Sequence, residues 1–245
     1  MKKIALYLFL SVILLSCEKE HMGDCFTSTG SKTSEYRPSG DFQIIELDDR
    51  IDLDIIWDSI PSIKVEAGSG IIDNIITEIK DGQLSIRNEN KCNFVRSYKK
   101  RMKVTVTGNS FNEITYRGSG EVNCLNTLRP ATLKVDCWES SGDLNLDFES
   151  TESFLKIHTG PTVITAKGKT NNSILYIGGA GQIRAEGLIA QNGYIVNAHT
   201  GIIYSRTINK LEVHLESNGD VYSYGVPNEL SITKTGKGNY IQLYR

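Results

Sequence analysis

The chain predicts an all-β, single-domain parallel β-helix, a β-solenoid of about 20 residues per coil. Three observations carry that expectation. A glycine anchor returns at Gly120, Gly142, Gly160, Gly181, Gly201, Gly219 and Gly238, at intervals of 22, 18, 21, 20, 18 and 19 residues. The residues two places after these anchors are Val122, Leu144, Thr162, Ile183, Ile203, Val221 and Tyr240, six of the seven suited to an inward-pointing strand position. Glycine reaches 22 residues while helical periodicity is nearly absent, which suits short strands joined by tight turns. A propeller blade needs about 40 residues for its four strands, so a coil fits the period better.

Residues 1–16 have the order of a lipoprotein signal peptide. Lys2 and Lys3 precede an apolar run from Ile4 to Leu15, and Leu14-Leu15-Ser16-Cys17 places a small residue directly before a lipid-acceptor cysteine. The run is shorter than the roughly 20 residues of a spanning helix. An ordinary cleaved signal peptide is the alternative reading. With Cys17 acylated, each buried CH₂ contributes about 0.8 kcal/mol, and several chains give stable membrane attachment. Glu18, Lys19 and Glu20 follow, and acidic residues there resemble the export tags of surface lipoproteins in some Gram-negative lineages.

Residues 17–40 are mostly Ser, Thr, Gly, Lys, Glu and Pro without an apolar face, and read as a flexible spacer behind the lipidated cysteine. The folded domain is expected over 41–245, with less regular coils at 41–117 and regular coils at 118–245. From Phe42 to Ile56, apolar residues alternate with Asp48, Asp49, Asp52 and Asp54, as in strands with one wet face. Asp81-Gly82 between two alternating segments signals a hairpin or coil turn. Arg96 to Lys103 is basic and reads either as a solvated loop or as a contact for an anionic polysaccharide or lipid head group. In the regular region a second strand precedes each turn, visible at Leu133–Val135, Leu155–Ile157, Ile174–Tyr176, Leu211–Val213 and Leu230–Ile232. Small polar residues just before the anchors, such as Ser119, Ser141 and Thr200, are expected to point outward.

The net charge of −2, from 27 basic and 29 acidic residues, gives no electrostatic basis for holding a nucleic acid. Beyond Cys17, four cysteines remain, Cys25, Cys92, Cys124 and Cys137, and export to an oxidising compartment permits disulfides. Cys25 with Cys92 is the favoured pair because it would pin the spacer to the body; Cys124 and Cys137 are either paired or free and buried.

Catalytic constellations should show as charges stacked at one phase on successive coils. Glu121 and Asp143 stack in this way, without a basic neighbour at that phase, and read as a solvated acidic pair more readily than as a glycosidase pair. His158 and His199 share a phase with Gly179 between them, about two strand spacings apart, too far for one metal ion whose histidine bonds are about 2.0–2.1 Å. No catalytic residue, cofactor site or metal site is assigned. Arg184, Tyr204 and Tyr222 follow one another three places after the anchors and should point outward, forming a candidate interaction face; the alternative is aromatic cross-strand packing alone.

Several segments together resemble the autotransporter adhesin "head GIN" domain family: Phe42-Gln43-Ile44-Ile45 leading to Ile51-Asp52-Leu53-Asp54-Ile55, Ile76 to Ile86, Cys92 to Tyr98, and Gly118-Ser119-Gly120. The resemblance runs from about Phe42 to the C-terminus. It implies a right-handed parallel β-helix on a secreted or outer-membrane lipoprotein with an adhesive role, and it brings no catalytic residues. The functional expectation is a lipid-anchored surface or envelope protein, non-catalytic, that binds polysaccharide or another surface protein or serves a structural role. The alternatives are a carbohydrate-active β-helix enzyme and a periplasmic envelope component without a ligand.

Overall fold

The structure, a computed structural model, describes residues 28–91 and 101–244. Cys17, Cys25, Cys92 and the Arg96–Lys100 part of the basic segment lie outside the described residues. The N-terminal strands are β1 (Lys32–Arg37), β2 (Ile44–Asp49), β3 (Asp52–Trp57), β4 (Ser62–Gly68), β5 (Ile75–Lys80), β6 (Gln83–Asn88), β7 (Lys103–Gly108), β8 (Glu113–Gly118) and β9 (Val122–Cys124). The regular part follows as β10 (Thr132–Cys137), β11 (Asp143–Ile157), β12 (Val163–Ile177), β13 (Gln182–Asn197), β14 (Ile202–Ser205), β15 (Thr207–Leu215), β16 (Val221–Tyr224), β17 (Glu229–Lys234) and β18 (Tyr240–Leu243). A single 3-10 turn, Ile72–Asn74, is the only helical element among the described residues.

The strands pile into two parallel stacks. In one, Ile44, Glu113, Lys134, Phe154, Ile174, Tyr194, Glu212 and Ser231 are successive partners across β2, β8, β10, β11, β12, β13, β15 and β17. In the other, Leu53, Val122, Leu144, Ile164, Ile183, Ile203, Val221 and Tyr240 are successive partners. From Leu53 to Val221 every member of this second series is buried to 0% exposure. Each such aliphatic side chain contributes about 1.5–3 kcal/mol through removal from water, and backbone pairing between coils satisfies the polar groups. The long strands β11, β12 and β13 each supply both stacks by turning a corner near their middles.

The recurring glycines have a packing cause. A methyl group on Gly142 would run into the carbonyl of Gly120, one on Gly201 into that of Gly181, and one on Gly238 into that of Gly219. The turns of successive coils touch backbone to backbone, and only a residue without Cβ allows that approach. The third anchor is crowded too, since a methyl on Gly160 would meet the Ser140 carbonyl, but it stands out of register with the others. Register pairs Leu144 with Ile164, so Thr162 occupies the position expected of Gly160, and the aliphatic column takes Ile164 where Thr162 was expected. Thr162 is fully buried, with its Oγ1 2.6 Å from Ser140 Oγ, so the misplaced hydroxyl is satisfied within the turn.

The N-terminal coils stack out of chain order. β2 lies between β6 and β8, and β3 lies between β7 and β9, so residues 44–57 insert between segments that follow them in sequence. This end is closed by antiparallel strands: β4 on β7, β1 on β4, and the β5–β6 hairpin, which turns through Asp81 and Gly82 at φ of 51° and 78°. Lys32–Arg37, expected within the spacer, is therefore an edge strand. Its residues alternate between exposed and half-buried against β4, a pattern that composition alone conceals.

Two of the four aspartates expected on a wet face are buried, Asp52 at 7% and Asp54 at 8% exposure. Arg101 donates to Asp52 at 3.2 Å and Lys103 to Asp54 at 2.7 Å. The Asp52 carboxylate also accepts from the Glu121 amide at 3.0 Å. Burial of these charges is tolerated because each is bonded.

Candidate functional site

A small cavity of about 10 Å³, roughly one water-sized sphere, lies against Ser173, Ser205 and Leu188. The outer surfaces of the two stacks carry the larger groupings of polar and aromatic side chains.

On the stack that carries the aliphatic column, the next residue along each strand faces outward. Asn123, Asn145, Thr165, Arg184, Tyr204, Tyr222 and Ile241 are consecutive partners there. The structure brings Arg184, Tyr204 and Tyr222 together as a ladder. The Tyr204 and Tyr222 rings stack with centroids 5.1 Å apart and planes inclined by 19°. The Arg184 guanidinium carbon lies 5.7 Å from the Tyr204 centroid, within cation–π range. Asn145 donates to Asn123 at 2.9 Å further along the column, so its other end is a polar amide ladder. Parallel in-register pairing causes both features: equivalent side chains stand one strand spacing apart, close enough for rings to stack and amides to bond.

The opposite stack presents a second outward surface that the glycine phasing did not reveal. Trp138 and His158 stack with centroids 3.8 Å apart and planes 4° apart, and Tyr176 continues the series 5.5 Å from His158 at a 46° tilt. Tyr194 and His214 meet at 5.2 Å and 47°. Each imidazole is held at its edge by a carboxylate: His158 Nε2 lies 2.6 Å from Asp136, and His214 Nε2 lies 2.8 Å from Glu212. Lys156 sits 5.6 Å from the Phe154 centroid. Counting from the register partners Cys137, Ile157 and Ile177 finds Trp138 and His158 one place after, while Tyr176, one place before, belongs to the neighbouring column with Asp136 and Lys156.

The acidic pair is placed differently from expectation. Glu121 and Asp143 precede the partnered Val122 and Leu144, but Glu121 has a basic neighbour, because Arg101 bonds it at 2.8 Å while also bonding Asp52. That guanidinium comes from the end of the basic segment, a position invisible to phase counting within the repeats. His158 and His199 do not share a column: the pairs Ile157–Ile177–Asn197 set His158 opposite Gly178 and leave His199 one residue out of step. Among the described residues no group of three or more His, Cys, Asp or Glu side chains is arranged to hold a metal ion.

Both described cysteines are free thiols. Burial pushes the Cys124 thiol up to about 11 and raises that of Cys137 further, so neither is a nucleophile at neutral pH. Tyr116 has its hydroxyl raised above the ordinary range by burial, and that hydroxyl donates to the Gly120 carbonyl at 2.6 Å, bracing a turn. No described helix is long and apolar enough to cross a membrane. A polar groove of about 420 Å³ runs along the coil corner between Glu149, Lys169, Asn171 and Gln191. It carries a single carboxylate, and that one is 3.4 Å from Arg129.

A family model described as "Putative auto-transporter adhesin, head GIN domain" matches residues 41–227. None of the curated proteins matches. Among solved structures, a putative adhesin from Bacteroides fragilis NCTC 9343 superposes with a TM-score of 0.78 at 18% identity, over 87% of this chain and 97% of that one. A putative lipid binding protein from Parabacteroides distasonis ATCC 8503 gives a TM-score of 0.66 at 16% identity, over 87% and 98%. A putative adhesin from Parabacteroides merdae ATCC 43184 gives 0.65 at 16% identity, over 88% and 98%. At these identities the likeness is one of fold.

Proposed function

We propose, from the premise that this chain belongs to the head GIN domain family, that it is a non-catalytic adhesion module displayed at the cell surface. Cys17 would carry the lipid anchor in the outer membrane, the residues after it would supply reach, and the rigid β-solenoid would present a lateral face to a polysaccharide or a surface protein. The observation that carries the reading is the ladder of Arg184, Tyr204 and Tyr222, whose side chains are directed outward from consecutive coils and locked by stacking. Pre-ordered rings suit binding because little side-chain entropy is lost on contact. The polar ends of arginine and tyrosine add hydrogen bonds at the edge.

The test is adherence. Cells expressing the protein with Tyr204→Ala/Tyr222→Ala are compared with wild type on mucin- and polysaccharide-coated surfaces and in pull-downs of surface proteins. A several-fold loss of attachment with unchanged surface expression is expected. Equal attachment by the double variant removes this face from the account.

A further inference from the structure

We propose that the outer surface of the other stack, from Trp138 to His214, is a binding track for a linear, uncharged polysaccharide lying along the coil axis. This deepens the adhesive reading and rests on it, because it names a ligand class and assigns it to a second face. Five successive coils each add an aromatic or imidazole ring to this surface: Trp138 and His158 directly after β10 and β11, and Tyr176, Tyr194 and His214 within β12, β13 and β15. Phe154, Ile174 and Val196 fill the positions between them as partners in the same registers. Trp138 and Tyr194 are 41% and 40% exposed, so ring surface reaches solvent on the first and fourth coils of the track.

Size separates a glycan from a protein partner. Five strands at about 4.8 Å spacing give a track about 19 Å long, and three outward columns two residues apart give a width of about 14 Å. The area is then about 270 Å², well below the roughly 800 Å² per partner of a stable protein interface. A slender polymer needs no more than that. The rings are spread over three neighbouring columns, Trp138 with His158, Tyr176 with His214, and Tyr194 with Phe154, so the surface is a band and not a single file.

Charge and hydrogen bonding select among polymers. Asp136, Glu212 and Glu216 outnumber Lys134 and Lys156, so the track holds no excess positive charge to attract a polyanion. Asp136 and Glu212 each bond an imidazole through one oxygen, and their second oxygens are acceptors suited to sugar hydroxyls. The exposed Trp138 and Tyr194 rings offer the surface that a sugar can reach. The C–H face of a pyranose packs against such a face while its hydroxyls reach the carboxylates.

The experiment is affinity electrophoresis of the detergent-solubilised full chain through gels containing dextran, laminarin, yeast mannan or xylan, with polygalacturonate and chondroitin sulfate as anionic probes. Retardation by at least one neutral polymer is expected, with affinity reduced about tenfold or more by Trp138→Ala and by Tyr176→Ala/Tyr194→Ala, each checked for an unchanged unfolding midpoint. Retardation by the anionic polymers alone, by none of the six, or retained in full by both variants overturns the proposal. Loss of retardation only in Tyr204→Ala/Tyr222→Ala also overturns it while leaving the adhesive reading in place. Failure of that reading is seen separately, as cell attachment that does not depend on the protein.

Discussion

Lys103 Nζ donates to Asp54 Oδ2 at 2.7 Å, joining the strand after the basic segment to a coil that precedes it by about fifty residues. Asp54 is nearly buried, while the lysine side chain is 39% exposed. The bond to Asp54 holds the Lys103 ammonium above the ordinary lysine range.

Lys103→Met is expected to cost about 1–2 kcal/mol, a figure reduced for solvent screening, because it leaves a buried carboxylate short of a partner. Urea unfolding measures it, with Lys237→Met as an exposed control. The pH dependence has a definite sign. A raised folded-state pKa gives stabilisation that is fully present below the unfolded lysine pKa of about 10.4 and is lost as pH climbs through the folded value. The difference between wild type and variant should therefore be flat near neutrality and shrink in strong alkali. A variant no less stable than the Lys237→Met control would show that this bond holds nothing.

Two glycines should respond to alanine by different amounts for different reasons. At Gly142 the added methyl meets the Gly120 carbonyl and the Tyr116 hydroxyl, and the cost should be about 3 kcal/mol. At Gly82 nothing lies within 4 Å, but φ is +78°, so the cost should be about 1 kcal/mol. Thermal unfolding of the two variants ranks them; the reverse order would mean that the turns do not stack backbone on backbone.

Thr162→Val keeps the shape of the buried side chain and removes its hydroxyl, leaving Ser140 Oγ without that partner inside the turn. A loss of about 1–3 kcal/mol is expected. Ser140→Ala/Thr162→Val should be less destabilised than the sum of its single variants, and a double-mutant cycle gives the coupling directly. Strict additivity would mean that the two hydroxyls do not interact.

These residues also show where the sequence was legible. Glycine spacing revealed the coils because crowded turns demand glycine at Gly120, Gly142, Gly181, Gly201, Gly219 and Gly238. It misled at Gly160, which is crowded against the Ser140 backbone at φ +96° but lies two residues before Thr162, the residue in register with the other anchors. The placement of β2 and β3 between later strands had no local signal, since it depends on pairings such as Leu53 with Val104 and Val122. The alignment of Tyr204 with Tyr222 was legible because it keeps step with the glycines. The Trp138–His158 pair was missed because the segment between the second strand and the next glycine varies in length, and Tyr176 joins it from the neighbouring column.

Cys124 and Cys137 should be silent to alkylation. With burial pushing the Cys124 thiol up to about 11 and that of Cys137 higher, iodoacetamide at about pH 8 should label neither in the native protein and both in guanidinium, as mapped by peptide mass spectrometry. Rapid native labelling of Cys137 would contradict its buried place beside Ile157.

The most direct test of the account is protease shaving of intact cells, followed by immunoblotting for the β-solenoid. Surface display predicts that proteinase K removes the folded domain while the outer membrane is intact and a periplasmic control protein survives. A domain that is cleaved only after the outer membrane is permeabilised would face the periplasm, and the adhesive role would fall.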